Sequence, residues 1–321
     1  MTTRHDLLSP EFRALSARLG QDPLQVQGPG GNTSIKGDGV MWIKASGTEL
    51  ADAETSDIFV AVDHEAARAK AYGAGDGSCK TTGLDPAVSL RPSIETTFHA
   101  ALPHPVVAHT HSVATLTHAI SLEGREAAAQ KLAGLPFVMV PYAKPGLPLT
   151  REILARVTEE TRIVILQNHG LIVFGPSVEA VSQMLADVEA RLSLRPRPVT
   201  DVERPPSPEG FSWAPESWIA ADEKAKRLAL AGSYYPDHVV FLGPRLPSAD
   251  HAGAPPAIVS EHGVQLRDGA TSSQKAMLTC LSDVLRRLPE DWNVEAIGST
   301  AEAELLNWDA EKYRQALAAG S

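Results

Sequence analysis

The chain has 321 residues, 43% of them hydrophobic and 21% charged, with 24 Gly and 24 Pro. These values are ordinary for a globular protein and exclude a collagenous chain, a coiled-coil rod and a wholly disordered one. A net charge of −10, no long Lys/Arg cluster and only 5% aromatic residues argue against nucleic-acid and acidic-membrane partners. The two cysteines, Cys79 and Cys280, make no disulfide framework and fit a reducing cytoplasm. Residues 1–21 are mixed and charged, without a signal-peptide pattern. The apolar stretches break within about ten residues, where a bilayer needs about twenty. The expectation is a soluble, cytoplasmic protein of one large domain or two.

From the N-terminus, Pro10 suits a first helical turn, and Phe12, Leu15 and Leu19 recur at helical spacing up to Gly20. A glycine-rich stretch, Gly28-Pro29-Gly30-Gly31-Asn32, leads into two short strands at 33–36 and 40–44, joined by Gly37-Asp38-Gly39. Residues 73–92 are rich in Gly, Thr, Ser and Pro and read as a surface loop. Ser93 is placed to cap a helix carrying Ile94, Phe98 and Leu102, which His104-Pro105 ends. Residues 106–111 read as a buried strand, with Ser112 capping the helix that follows. Strands are predicted at 137–140, 162–166 and 171–174, a helix near 151–159, and a turn at Gln167-Asn168-His169-Gly170. Ser177 caps an amphipathic helix whose Val181, Met184, Leu185, Val188 and Leu192 face the core. Six prolines between 196 and 215 rule out regular helix or central strand there and mark a linker or extended arm. Helices near 216–231, 271–288 and 301–318 and strands near 238–242 and 257–266 follow. The predicted organisation is a catalytic unit over 1–195, a Pro-rich linker or arm over 196–215 and an α/β extension over 216–321. No repeat with a solenoid period is present.

Three features converge on one chemistry. Side chains at i and i+2 of a strand point the same way, so His109 and His111 project two imidazoles from one face. His169 sits in a glycine-containing turn between two apolar strands. Glu95 stands near the start of the helix that precedes the histidine pair. Three neutral imidazoles with one open position are the ligand set of a catalytic zinc, and a carboxylate beside such a metal suits a general base. Taken alone, the histidine pair favours core residues bonded to the backbone, and a lone His169 favours that reading more strongly. His5, His64, His99, His104, His118, His238, His251 and His262 read as structural or surface residues, with His99 and His118 the nearest reserve ligands. Residues 28–33 form either a backbone cradle for a phosphate or a plain turn, and they lack both the dinucleotide and the P-loop spacings.

The ordered set of motifs resembles the class II aldolase/adducin family. It comprises Gly30-Gly31-Asn32-Thr33-Ser34, Lys44-Ala45-Ser46-Gly47-Thr48, Arg91-Pro92-Ser93-Ile94-Glu95, His109-Thr110-His111 and Gln167-Asn168-His169-Gly170. These cover roughly residues 10–195 and are closest in flavour to the aldolase portion of long rhamnulose-1-phosphate aldolase-like proteins. In that longer class an aldolase domain can be fused to a short-chain dehydrogenase, for which this chain is too short. The ending Leu305-Leu306-Asn307-Trp308-Asp309-Ala310-Glu311-Lys312-Tyr313-Arg314 also resembles that class, without a known chemical role.

The resemblance implies a three-layer α/β fold, a mostly antiparallel central sheet flanked by helices, with a smaller C-terminal α/β extension. It implies a homo-oligomer, a tetramer above all, acting on a small sugar or sugar phosphate. His109, His111 and His169 would bind Zn²⁺ or another divalent metal, and Glu95 would be the acid/base residue. Asn32, Ser46, Gly47 and Ser93 would line the phosphate pocket. The implied activity is a zinc-dependent carbon–carbon lyase. It cleaves a ketose 1-phosphate to dihydroxyacetone phosphate and an aldehyde through a metal-stabilised enediolate. Metal-dependent epimerases, dehydratases and decarboxylases share the scaffold, as does a non-catalytic adducin-like interaction domain. Two positions depart from the short aldolases. Ile94 replaces a serine, removing a hydroxyl donor from the implied phosphate pocket; either the substrate is unphosphorylated, or Lys36 or Lys44 compensates. The proton-donating tyrosine has no counterpart over 122–136, so Tyr142, Tyr234, Tyr235 or Tyr313 serves, or none does.

Overall fold

The computed structural model describes residues 3–200, 203–248 and 254–319, so His251 lies outside the described residues. Helix α1 (Pro10–Gln21) begins where Ser9 Oγ accepts the Phe12 N–H and Pro10 fills the first turn. Strands β1 (Asn32–Gly37) and β2 (Val40–Lys44) form the expected hairpin, with Asp38 and Gly39 both at positive φ. Two elements absent from the sequence reading follow, β3 (Phe59–Asp63) and α2 (His64–Tyr72), the latter capped by Asp63. Residues 73–92 carry no regular helix or strand, as expected.

Helix α3 (Thr96–Ala101) starts later than predicted, because Ser93 Oγ accepts the Glu95 N–H at 3.2 Å and Glu95 takes the cap position. Strand β4 (Val106–Thr110) leads through Ser112, whose Oγ accepts the Thr115 N–H, into α4 (Val113–Ala119). An unpredicted helix α5 (Leu122–Lys131) follows, then β5 (Phe137–Val140) and α6 (Leu147–Leu154), the last displaced toward the N-terminus of its expected place. Strands β6 (Ile163–Leu166) and β7 (Gly170–Gly175) precede α7 (Val178–Leu192), capped by Ser177 as predicted.

The strands up to β7 form one seven-stranded sheet in the order β3-β2-β1-β4-β7-β6-β5. Its neighbours are antiparallel except the parallel pair β5–β6. Side chains alternate between its faces. Val106 and Ala108 of β4 and Leu171 and Val173 of β7 join Phe12 and Leu15 of α1 and Val181 and Val188 of α7 on one face. Val107, Ile172 and Phe174 join Phe98 of α3 and Leu149 and Ile153 of α6 on the other. The layers are therefore helix, sheet, helix, as the family resemblance implied.

Past α7 the Pro-rich segment ends in a short strand, β8 (Phe211–Trp213), and a 3₁₀ turn, Pro215–Ala220. The predicted helix over 216–231 is thus only its second half, α8 (Glu223–Ala231). The predicted strand over 238–242 is a helix, α9 (Pro236–Leu242). Its apolar run fits either period, and Pro236 in the first turn sets the helical choice. Residues 257–266 give two strands, β9 (Ala257–Val259) and β10 (Val264–Arg267), which make a second antiparallel sheet, β8-β10-β9. Helix α10 (Ser272–Arg287) is as expected and opens with a capping box of Thr271 and Gln274. The final predicted helix breaks at Asn307 and Trp308 into α11 (Ser299–Leu306) and α12 (Asp309–Ala319). These elements share a core with α4: Val113, Leu116 and Ile120 pack among Tyr234, Phe241, Met277 and Leu281.

Leu116 is fully buried in that shared core. Leu116→Ala should cost about 2–5 kcal/mol, read as a lowered urea midpoint; a change below about 0.5 kcal/mol would contradict the packing. His118, on the same helix, is pushed down to about 4 by burial, whereas the unfolded ring titrates near 6.5. The unfolded chain therefore binds more protons between these values, and stability falls as pH drops through that window. His118→Gln removes one such group, so its urea midpoint should fall less than wild type between about pH 7 and about pH 4.5. Parallel falls would refute this.

Candidate active site

The site is built at the ends of β1, β4 and the β6–β7 turn. Register places Asn32 of β1 opposite His109 of β4, and His109 opposite Ile172 of β7. His109 lies on the strand and His111 just beyond its end, both buried. In the turn before β7, Asn168 takes a positive φ of 53°. The Asn168 amide donates to the carbonyls of Tyr234 at 3.0 Å and Glu295 at 2.8 Å, fastening the turn. Gly170 is required there, since a Cβ would stand 2.3 Å from Thr110 O. His169 is thereby held over β4.

The three predicted histidines converge: ring centroids lie 5.0 Å apart for His109–His111, 5.0 Å for His109–His169 and 5.4 Å for His111–His169. One ring nitrogen from each lies within 4.8 Å of the others. Burial holds the His109 imidazole below its ordinary range, against the pull of Glu95. Burial, then His109 and His111, holds His169 well below it. Both rings therefore favour the neutral form that a metal requires. His109 Nδ1 sits 3.0 Å from Leu171 O and donates to it, which leaves the Nε2 lone pair facing the cluster. That nitrogen and Glu95 Oε1 are buried without a hydrogen-bond partner. Orphaned acceptors around converging imidazoles fit a divalent metal.

Glu95 joins the histidines, with Oε2 3.5 Å from His109 Nε2 and Oε1 3.6 Å from His169 Nε2. A chain of polar groups aims it. Ser34 Oγ is 2.7 Å from His99 Nδ1, and His99 Nε2 bonds Asn32 Oδ1. Asn32 Nδ2 donates to Glu95 Oε2 at 2.8 Å and to Ser93 Oγ at 3.2 Å. His99 is therefore an orienting group, outside the three-histidine cluster. His118 is likewise outside it, bonded to Ala114 O at 2.8 Å. Asn32 and Ser93, predicted as phosphate contacts, engage each other and Glu95.

Asn32, Ser46, Gly47, Ser93, Glu95, His111 and His169 line one cavity of ≈ 30 Å³. This cavity shares Ser46, Ser93 and Ile94 with an adjoining chamber of ≈ 290 Å³ that holds Lys80, Arg91, Trp308 and Tyr313. Lys36 does not reach the cavity; its ammonium donates to His99 O and Leu102 O at 2.5 Å each. Lys44 does line it, with Nζ donating to Pro29 O at 2.9 Å and Thr48 O at 2.6 Å. Burial, reinforced by Arg314, pushes Lys44 down to about 7. None of the four candidate tyrosines lines the histidine cavity; Tyr313 lines the adjoining chamber.

Three residues at the cavity escaped the sequence reading: Asp237 at the start of α9, and Glu311 and Arg314 on α12. Arg314 donates to Asp237 at 2.9 and 3.2 Å and to Glu311 at 2.9 Å. Glu311 and Arg314 stand three residues apart on a helix, a spacing readable in the sequence. Asp237 carries no such signal.

Residues 12–194 match the Class II Aldolase and Adducin N-terminal domain family, and the chain belongs to that family. The N-terminal class II aldolase domain of a conserved protein from Thermoplasma acidophilum is 27% identical, with a TM-score of 0.52, covering 60% of this chain and 94% of that one. An L-fuculose 1-phosphate aldolase from Glaciozyma antarctica PI12 is 15% identical, with a TM-score of 0.40, over 60% of this chain and 73% of that one. Among curated proteins, an uncharacterized oxidoreductase, YuxG, from Bacillus subtilis (strain 168) is 30% identical over 184 residues. The match takes in 51% of this chain, which spans about a quarter (26%) of that relative's length. Among the described residues, no helix is long and apolar enough to cross a membrane.

His109→Ala should abolish stoichiometric divalent-metal binding, measured by elemental analysis after dialysis. His99→Phe should retain the metal, because His99 only orients Asn32. Equal metal content in wild type and His109→Ala would remove His109 from the site.

Proposed function

We propose that this chain is a zinc-dependent aldolase that cleaves a small ketose 1-phosphate to dihydroxyacetone phosphate and an aldehyde. The observation that carries the reading is Glu95: a buried carboxylate, held by Asn32, whose free Oε1 faces the same space as three converging imidazoles. His109, His111 and His169 would hold the metal. When bound, it supplies Lewis-acid stabilisation of negative charge on the substrate's carbonyl and adjacent hydroxyl oxygens.

The chain's own residues perform the remaining tasks. Glu95 takes the proton of the C4 hydroxyl as the C3–C4 bond breaks and the C4 oxygen becomes the aldehyde carbonyl. The electron pair of the broken bond stays on the three-carbon fragment. Glu95 then returns the proton to C3, giving dihydroxyacetone phosphate. Burial excludes bulk water from Glu95, so the proton is retained between the two steps. The reacting carbons occupy the small cavity, and the rest of the substrate extends past Ser46 and Ser93 into the adjoining chamber. Arg91 and Lys80 there offer positive charge to an anionic group. The retained ligand set and glutamate weigh against a non-catalytic interaction domain.

Dihydroxyacetone phosphate release from a panel of ketose 1-phosphates should be abolished by a chelator and restored by Zn²⁺. Glu95→Gln should lower turnover by about 10² to 10⁴ while metal content stays unchanged. Full release by metal-free protein, or wild-type turnover in Glu95→Gln, would overturn the reading.

A further inference from the structure

The family match ends at residue 194, yet the histidine cluster receives a side chain from far beyond it. Asp237 Oδ2 lies 3.3 Å from His111 Nδ1, and both groups are buried. Arg314 grips the same carboxylate through two nitrogens, at 2.9 Å to Oδ1 and 3.2 Å to Oδ2. With the Arg314 guanidinium bonded to both of its oxygens, the Asp237 carboxylate turns Oδ2 toward His111 Nδ1 as an acceptor.

The glycine-rich stretch is shaped around this pair. A Cβ on Gly30 would stand 2.9 Å from His111 Nδ1 and 3.0 Å from Asp237 Oδ2. Gly30 therefore keeps open the space in which the two groups meet, a role unrelated to a phosphate cradle.

We propose that Asp237 is a positioning residue for the metal site: it fixes His111 as the Nδ1–H tautomer and presents Nε2 as the ligand atom. Arg314, on the last helix, holds Asp237 in place, so the region beyond the family match completes the site. The arrangement has the form of the carboxylate–histidine pairs that orient metal ligands and raise their basicity. The proposal rests on the metal reading above but not on any choice of substrate.

The experiment has two arms that do not require turnover. In metal-free, full-length protein, histidine ¹H–¹⁵N correlation spectra, assigned by loss of the signal in His111→Gln, should show His111 protonated at Nδ1. Zn²⁺ affinity, measured by competition with a chromophoric chelator, should fall about 10- to 100-fold in Asp237→Asn. Gly30→Ala, which intrudes on the same pair, should weaken Zn²⁺ binding in the same direction. Finding His111 protonated at Nε2 in the wild type overturns the proposal, and this arm stands even if Asp237→Asn does not fold. Zn²⁺ affinity in folded Asp237→Asn within twofold of wild type also overturns it. If wild type shows the Nδ1–H tautomer but binds no Zn²⁺, the metal reading itself fails and the proposal fails with it. Wild-type Zn²⁺ binding with an unaffected Asp237→Asn rejects the proposal alone.

Discussion

The pairing of β4 between β1 and β7 is the constraint on which the site depends. Antiparallel register on both sides brings Asn32, His109 and the His169 turn to one end of a buried strand. The close approach of Gly170 to Thr110 O makes this end intolerant of any side chain. A larger residue there would separate β4 from β7 and move His169 away from His109. A one-residue slip of β4 would turn both of its histidine-side positions to the opposite face. The apolar alternation of β4 and β7, packed by helices on both sides, prevents that slip.

Around this strand end the polar groups are arranged as chains, each ending at the cluster. Ser34, His99 and Asn32 lead to Glu95, and Arg314 and Asp237 lead to His111. Buried polar groups are costly unless satisfied. The intermediate members of both chains have partners, whereas His109 Nε2 and Glu95 Oε1, at the cluster itself, have none. Lys36 serves the same economy from outside: its ammonium satisfies the carbonyls at the end of α3, the helix that carries Glu95 at its start.

What was legible in the sequence followed periodicity and local chemistry. The β1–β2 hairpin announced itself by its Gly-Asp-Gly turn, and β4 by an apolar run carrying the i, i+2 histidine pair. Strand β3 and helix α2 were hidden because Phe59 to Asp63 is short and α2 is rich in Ala, Lys and Arg rather than apolar spacing. Residues 238–242 misled because the four-residue apolar run Val239 to Leu242 fits both periods, and the deciding Pro236 lies before it. The three histidines and Glu95 were readable as an ordered set of motifs. Asp237 was not, since one aspartate 126 positions from His111 (237 − 111) acquires its role only through folding. Asn32 shows a similar limit: its motif places it at the pocket, but only three-dimensional pairing brings its amide to Glu95 and Ser93.

The balance of buried charge explains why these groups tolerate one another. Glu95, Asp237 and Glu311 all line the histidine cavity, and all are nearly inaccessible. Arg314 pairs with Asp237 and Glu311, leaving Glu95 without a guanidinium partner. Burial raises the Glu311 carboxyl despite Arg314, which favours a proton there. Arg314 is the single guanidinium lining the cavity beside these three carboxyl groups. Lys44, pushed down to about 7 and bonded to two carbonyls, is a weak counterweight. An uncompensated buried charge is costly, and a divalent cation among the imidazoles offsets it without adding a side chain. Electrostatics and the orphaned lone pairs thus point to the same occupant: a metal ion as part of the folded site's own charge balance.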